Sequence, residues 1–134
     1  MRPVRLSILL IGAALVAAAC SGSSTREAFS ELIPPEDAVR VLDEAEDTLV
    51  LLDVRTPDEF SQARIAGAIN IDFYEADFRD RLAELDRDAT YVVYCRTGNR
   101  SATAVEMMQE LGFDYIYEID GGIVDWYEAG YPIE

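Results

Sequence analysis

The stretch that decides the fold is residues 91–101, which read YVVYCRTGNRS. Its first four residues form a short apolar run, which is typical of a strand buried in a parallel sheet. A loop containing Gly98 follows, and after it apolar residues recur at the spacing of one helix face. These residues are Ala104, Met107, Met108 and Leu111, and Gly112 then ends the helix. The sequence therefore predicts a strand, a tight loop and a helix, with Cys95 where the strand ends.

The same alternation of strand and helix lies on both sides of this stretch. Further strands are predicted at 49–52, 68–71 and 115–119. Further helices are predicted to begin at Pro34–Pro35, after Thr56 as N-cap, around Phe78 and after Gly121–Gly122. Strands that alternate with helices form a parallel sheet. The sequence therefore predicts an α/β fold with a parallel central sheet and helices on both faces.

Composition excludes several classes of function. The chain has 134 residues, enough for one domain and a tail, and its net charge is −15. A field of that sign repels polyphosphate, which disfavours nucleic-acid binding. The sequence contains no His, which excludes Ser–His and Cys–His catalysis and His-ligated zinc. No metal or cofactor is expected, and any chemistry must use thiol, carboxylate, Arg, Tyr or backbone groups.

The loop after the strand has the composition of a site that holds a thiolate. Its residues are Cys95, Arg96, Thr97, Gly98, Asn99, Arg100 and Ser101. Between a strand and a helix N-terminus, successive backbone N–H groups turn inward and favour an anion. Helix N-termini and nearby Arg lower a cysteine pKa from about 8.5 to roughly 3.5–7.5. Gly98 permits a positive φ in the turn, and Arg96 and Arg100 are expected to hold oxyanions by forked hydrogen bonds.

The alternative for Cys95 is a buried structural cysteine, since a free Cys packs as a small hydrophobe. Flanking Arg residues and a flexible Gly favour the reactive interpretation. Asp53 also comes at the carboxyl end of a predicted strand, where ligands bind in parallel sheets. We expect Asp53 and Arg55 to form a structural ion pair beneath the site and to support it.

The amino end has the zones of an export signal. Arg2 and Arg5 are basic, Leu6 to Ala19 is largely apolar and too short to span a membrane, and small residues lead to Cys20. Small residues before Cys resemble the lipobox of bacterial lipoproteins, in which that cysteine is lipidated. Plain cleavage that leaves an ordinary thiol is the alternative. The sequence predicts a signal peptide at 1–19, a flexible tether at 20–28 that begins at the lipobox cysteine, and a domain at 29–134.

Four motifs, in order, resemble the single-domain rhodaneses over nearly the whole predicted domain. They are Asp53-Val-Arg55 with Glu59-Phe60, Ile65-Ala-Gly67-Ala68-Ile-Asn70, the Cys95 loop, and Gly121-Gly122-Ile123 with Trp126 and Gly130-Tyr-Pro132. The resemblance implies that Cys95 takes a sulfane sulfur from a small anionic donor such as thiosulfate and becomes a persulfide. It further implies transfer of that sulfur to a thiophilic acceptor, cyanide in assays or a thiol in cells.

Two details of the loop refine the resemblance. Four residues separate Cys95 from Arg100, which is the form associated with sulfur transfer, whereas related cysteine phosphatases have five. The chain departs from many family members by having Arg64 where they carry His. Arg64 is a permanent cation that can form a salt bridge or steer anions, but it does not titrate near neutral pH.

Two functions stay open at this point. The first is an exported sulfurtransferase, anchored to a membrane through lipid on Cys20 and facing the periplasm or the cell exterior. The second is a non-catalytic rhodanese-like module that binds a partner or an anion at the cell envelope. Binding-only relatives often lose the cysteine or the Arg, and this chain keeps both Cys95 and Arg100.

Overall fold

The computed structural model describes residues 28–45 and 48–134. The signal peptide at 1–19, lipidation of Cys20 and nearly all of the tether at 20–28 lie outside these residues and stay predictions. Within the two described ranges, no helix combines the length and apolar character needed to cross a bilayer.

Five strands and five helices alternate along the described chain. The strands are β1 (Phe29–Ile33), β2 (Leu49–Asp53), β3 (Ile69–Asn70), β4 (Thr90–Tyr94) and β5 (Tyr115–Ile119). The helices are α1 (Pro35–Asp43), α2 (Pro57–Gln62), α3 (Phe78–Ala83), α4 (Asn99–Glu110) and α5 (Gly122–Glu128). All strand pairs are parallel, in the order β1-β5-β4-β2-β3. The predicted α/β class with a parallel sheet is confirmed.

Two apolar clusters cover opposite faces of the sheet, because successive strand residues point to opposite sides. One face packs on α3 and α4 and includes Val93 and Met108. The other packs on α1 and α5 and includes Tyr94 and Trp126. The continuous apolar runs of β2 and β4 follow from this arrangement, since central strands are buried on both sides. Trp126 is buried in the core on this second face.

The first strand was missed in the sequence. β1 pairs with β5 at one edge of the sheet, and Leu32 in it is 57% exposed. An edge strand with four exposed residues out of five lacks the apolar run by which central strands are predicted. The strand predicted at 68–71 is shorter in the structure, where only Ile69–Asn70 pair with β2.

Candidate active site

Cys95 lies directly after the central strand β4, at the carboxyl edge of the sheet. Its side chain is buried, with the residue about 1% exposed, and its Sγ accepts a hydrogen bond of 3.0 Å from the backbone N–H of Gly98. Gly98 has φ +107°, a left-handed conformation in which a side chain is strained, so the predicted positive φ is confirmed. The turn at Gly98 folds the loop back over the sulfur and starts α4.

Burial and hydrogen bonding act on the Cys95 thiol in opposite directions. Burial raises its pKa, but the Ser101 hydroxyl and the backbone N–H groups of Ser101, Gly98 and Thr97 lower it by more. The Ser101 Oγ lies 3.4 Å from Sγ. The resulting pKa lies below the ordinary value of a cysteine, which favours the thiolate.

A second helix terminus holds the loop from behind. The backbone N–H groups of Ile123 and Val124, in the first turn of α5, donate to the carbonyl oxygens of Cys95 and Arg96 at 3.0 and 3.2 Å. These donors have no acceptor within their own helix, because the first turn of a helix leaves its N–H groups free. The Cys95 loop is therefore fixed by main-chain bonds on two sides.

The predicted ion pair between Asp53 and Arg55 is present at the neighbouring strand end. Arg55 Nη2 lies 2.6 Å from Asp53 Oδ2, its Nε donates to both carboxylate oxygens at 3.0 Å, and its backbone N–H donates to Oδ1 at 2.8 Å. The side chain of Arg55 also donates to the Ala63 carbonyl. Asn70 Nδ2 donates to the carbonyls of Asp53 and Arg55. These contacts fix the segment after β2, which lies beside the loop.

Arg100 differs from the prediction that it would hold an oxyanion. Its Nη1 and Nη2 donate to the two carboxylate oxygens of Glu59 at 2.7 and 2.8 Å. Glu59 also closes a capping box with Thr56 at the start of α2. The pKa of Glu59 is lowered to about 2, and the hydrogen bond from Arg100 is the largest cause of this shift. The fork of Arg100 is occupied by a carboxylate, so this side chain ties α2 to the loop.

Arg96 is the other predicted anion-binding residue, and its side chain is exposed. In residues 28–45 and 48–134 it forms no ion pair with an acidic side chain. It lines a cleft of about 320 Å³ between α2 and α5, together with Gln62, Val124 and Tyr127. Arg96 is therefore the cation of the loop that is available to an incoming anion.

The remaining predicted residues have simpler positions. Thr97 and Asn99 are exposed, and Asn99 is the first residue of α4. Arg64 pairs with Glu134 at 3.0 Å, and their backbones exchange two hydrogen bonds. Arg64 thus holds Glu134 against the segment between α2 and β3. Within the described residues, no cluster of three or more metal-ligating side chains is suited to a metal ion.

Sequence reasoning gave no role at the loop to two acidic residues that lie beside it. Glu59 carried a readable signal, because Thr56 and Glu59 have capping-box spacing. Glu118 is also unusual in the sequence, as an acid within the apolar strand β5. In the structure the Ser101 hydroxyl donates to Glu118 Oε1 at 2.6 Å, and Glu118 is buried.

Comparisons with known proteins point to one family. The family model for the Rhodanese-like domain matches residues 35–129. A sulfurtransferase from Allochromatium vinosum is 34% identical over 101 residues, which cover 75% of this chain and 92% of that protein. Thiosulfate sulfurtransferase GlpE from Pseudomonas putida is 36% identical over 103 residues, covering 76% of this chain and 88% of that protein.

A solved structure is similar to the chain in both fold and sequence. It is a rhodanese-related protein from Thermoplasma volcanium, with a TM-score of 0.68 and 38% identity. The match covers 78% of this chain and 97% of that one.

Proposed function

Because this chain belongs to the rhodanese-like family, we propose that it transfers sulfane sulfur by way of a persulfide on Cys95. Its sulfurtransferase relatives support sulfurtransferase activity in general. The observation that carries the finer proposal is the environment of the Cys95 sulfur. The sulfur accepts a hydrogen bond from a backbone N–H, and the pKa of the thiol is lowered. A thiolate, and not a thiol, is the nucleophile in such chemistry.

The proposed reaction has two displacements and needs no external redox agent. The Cys95 thiolate attacks the terminal sulfur of thiosulfate, a new S–S bond forms, the S–S bond of the donor breaks, and sulfite leaves with the electron pair. An acceptor thiolate then attacks the outer sulfur of the persulfide. The acceptor becomes a persulfide, and Cys95 leaves as a thiolate, ready for another cycle.

The loop supports both displacements in the same way. The Gly98 N–H donates to Sγ, so it stabilises the thiolate as nucleophile and later as leaving group, and the Ser101 hydroxyl lies beside the same sulfur. Arg96 supplies a local positive charge for the sulfonate end of thiosulfate, against a net charge of −15 over the chain.

The decisive experiment is sulfur loading followed by mass spectrometry. We expect the full chain, incubated with thiosulfate, to gain the mass of one sulfur atom and to release thiocyanate when cyanide is added. Cys95→Ser should abolish both, whereas Cys20→Ser should load like the unmutated chain. No sulfur adduct and no thiocyanate from the unmutated chain would instead indicate a non-catalytic binding module.

A second prediction concerns the exposed cation of the loop. Arg96→Ala should raise the KM for thiosulfate by about tenfold or more, because a hydrogen bond to a charged group contributes about 1.5–3 kcal/mol. The effect should fall on KM more than on kcat, since Arg96 does not contact the sulfur of Cys95. Arg81→Ala, an exposed Arg in α3, is the matched control for the loss of one charge. Equal KM values for the two variants would remove Arg96 from donor binding.

We propose further that this activity takes place outside the cytoplasm, on a membrane reached through a lipidated Cys20. The support is the sequence pattern of residues 1–20. If Cys20 is lipidated, Cys95 is the single free thiol of the chain's two cysteines. In an oxidising compartment, Cys95 would then have no second free thiol in the chain with which to form an intramolecular disulfide.

A further inference from the structure

Behind the nucleophile lies a buried carboxyl group that the proposed reaction does not use. Glu118 belongs to β5, where its register neighbours are Leu32 in β1 and Val93 in β4, both apolar. Its residue is 9% exposed, and its Oε1 lies 2.6 Å from the Ser101 hydroxyl oxygen. Ser101, in the first turn of α4, is itself fully buried and lies 3.4 Å from Cys95 Sγ. Cys95, Ser101 and Glu118 therefore form a continuous polar chain.

The Ser101 hydroxyl has one proton and several acceptors. It lies 2.6 Å from Glu118 Oε1, 3.1 Å from the Gly98 carbonyl and 3.4 Å from Cys95 Sγ. When Glu118 is ionised, it accepts a hydrogen bond from the Ser101 hydroxyl. The hydroxyl proton is then not available to the sulfur of Cys95. When Glu118 is protonated, it donates to Ser101 Oγ, and the Ser101 proton is free to stabilise a thiolate at Cys95. The direction of the Ser101 hydrogen bond thus depends on the proton of Glu118.

We propose that Glu118 is a positioning residue which, through Ser101, takes up the proton that Cys95 gives away. The proton leaves Sγ for Ser101 Oγ as the hydroxyl proton of Ser101 passes to Glu118 Oε1. A thiol beside a carboxylate becomes a thiolate beside a carboxylic acid, with no change in total charge. This inference extends the proposed function, in which Cys95 reacts as a thiolate.

The surroundings of Glu118 favour its protonated form over its ionised form. Burial raises the pKa of Glu118, the Ser101 hydrogen bond lowers it, and the nearby Asp120 raises it again, so that it lies above the ordinary value of a glutamate. The neighbours in β1 and β4 carry no charge, and α4 presents the Ser101 hydroxyl. Because the sequence contains no His, no imidazole is available to take this role.

The test follows the titration of Cys95 in the full-length Cys20→Ser chain, where Cys95 is the remaining thiol. The readout is the pH dependence of the ¹³Cβ shift of labelled cysteine, which needs no sulfur donor. Glu118→Gln should lower the pKa of Cys95 by about one unit, because the variant removes a negative charge and leaves the Ser101 proton to the sulfur. In the Ser101→Ala background, the same substitution should shift it by less than half as much.

Asp114→Asn is the matched control, since it removes an acid just before the same strand that neither contacts Ser101 nor shifts the pKa of Glu118. It should leave the pKa of Cys95 nearly unchanged. An unchanged pKa in Glu118→Gln would overturn the proposal. An equal shift with and without Ser101 would overturn it as well, because the charge would then act across space.

A second measurement avoids any change at Glu118. In the otherwise unmutated Cys20→Ser chain, the carboxyl carbon of Glu118 should show an inflection at the pKa of Cys95, which Cys95→Ser removes. The same inflections in both chains would contradict the coupling. Sulfur loading by thiosulfate is measured separately. A coupled titration without loading would therefore contradict the proposed function and leave this inference standing.

Discussion

Asp53→Asn should destabilise the protein by about 3–5 kcal/mol, the usual cost of breaking a buried ion pair by removing one partner. The substitution keeps the shape of the side chain but leaves the Arg55 guanidinium as an uncompensated charge, at a residue that is 4% exposed. Only the Ala63 carbonyl would still accept from Nη2. Urea unfolding should show a lower midpoint with an unchanged m value.

The control for this prediction is an ion pair on the surface. Glu110 lies 2.9 Å from Arg79, and both side chains are about half exposed or more. Glu110→Gln should cost no more than about 1 kcal/mol, because solvent screens such pairs. Equal losses in the two variants would show that the Asp53–Arg55 pair is no more important for stability than a surface contact.

Gly122→Ala should reduce both the stability of the fold and sulfur loading. A Cβ at this position would lie 2.4 Å from the Cys95 carbonyl oxygen and 2.6 Å from the Arg96 carbonyl oxygen. Both atoms belong to the backbone of the loop, so the clash cannot be relieved by rotation of a side chain. Either α5 or the loop must move, and the hydrogen bonds from Ile123 and Val124 to the loop would be lost or stretched.

Gly67→Ala separates this clash from simple backbone strain. Gly67 has φ +83° and Gly122 has φ +61°, so both substitutions force an alanine into a left-handed conformation, at a cost of roughly 1–2 kcal/mol. A Cβ at Gly67 would meet nothing within 4 Å. Gly122→Ala should therefore lose about 1–3 kcal/mol more than Gly67→Ala in urea unfolding, as overpacked sites do. It alone should reduce sulfur loading while still folded, and equal behaviour of the two variants would contradict the close approach.

Local patterns were sufficient to predict the centre of this fold. The apolar run before Cys95, the loop at Gly98 and the helical spacing after it depend on neighbouring residues, and each has a direct physical meaning. The edge strand β1 differs, because four of its five residues are exposed and its pairing depends on β5. Strands of that kind are defined by their partner more than by their own composition.

The site was predicted as a set of residues but not as a set of contacts. Arg100 was expected to bind an anion, yet its partner is Glu59, which lies 41 residues away in the chain. The acid in β5 was visible in the sequence, whereas its contact with Ser101 arises only when β5 pairs with β4 and α4 packs on the same face. Pairings across such separations follow from topology, which local periodicity does not encode.

The way in which the Cys95 loop is held has a consequence for protein engineering. Backbone groups of α4 and α5 hold it from two sides, and its exposed side chains are those at positions 96, 97 and 99. The conformation of the loop around the Cys95 sulfur thus depends largely on main-chain atoms, which every amino acid with a backbone N–H supplies alike. Libraries randomised at these three positions can alter donor selectivity while they leave the reactive centre intact.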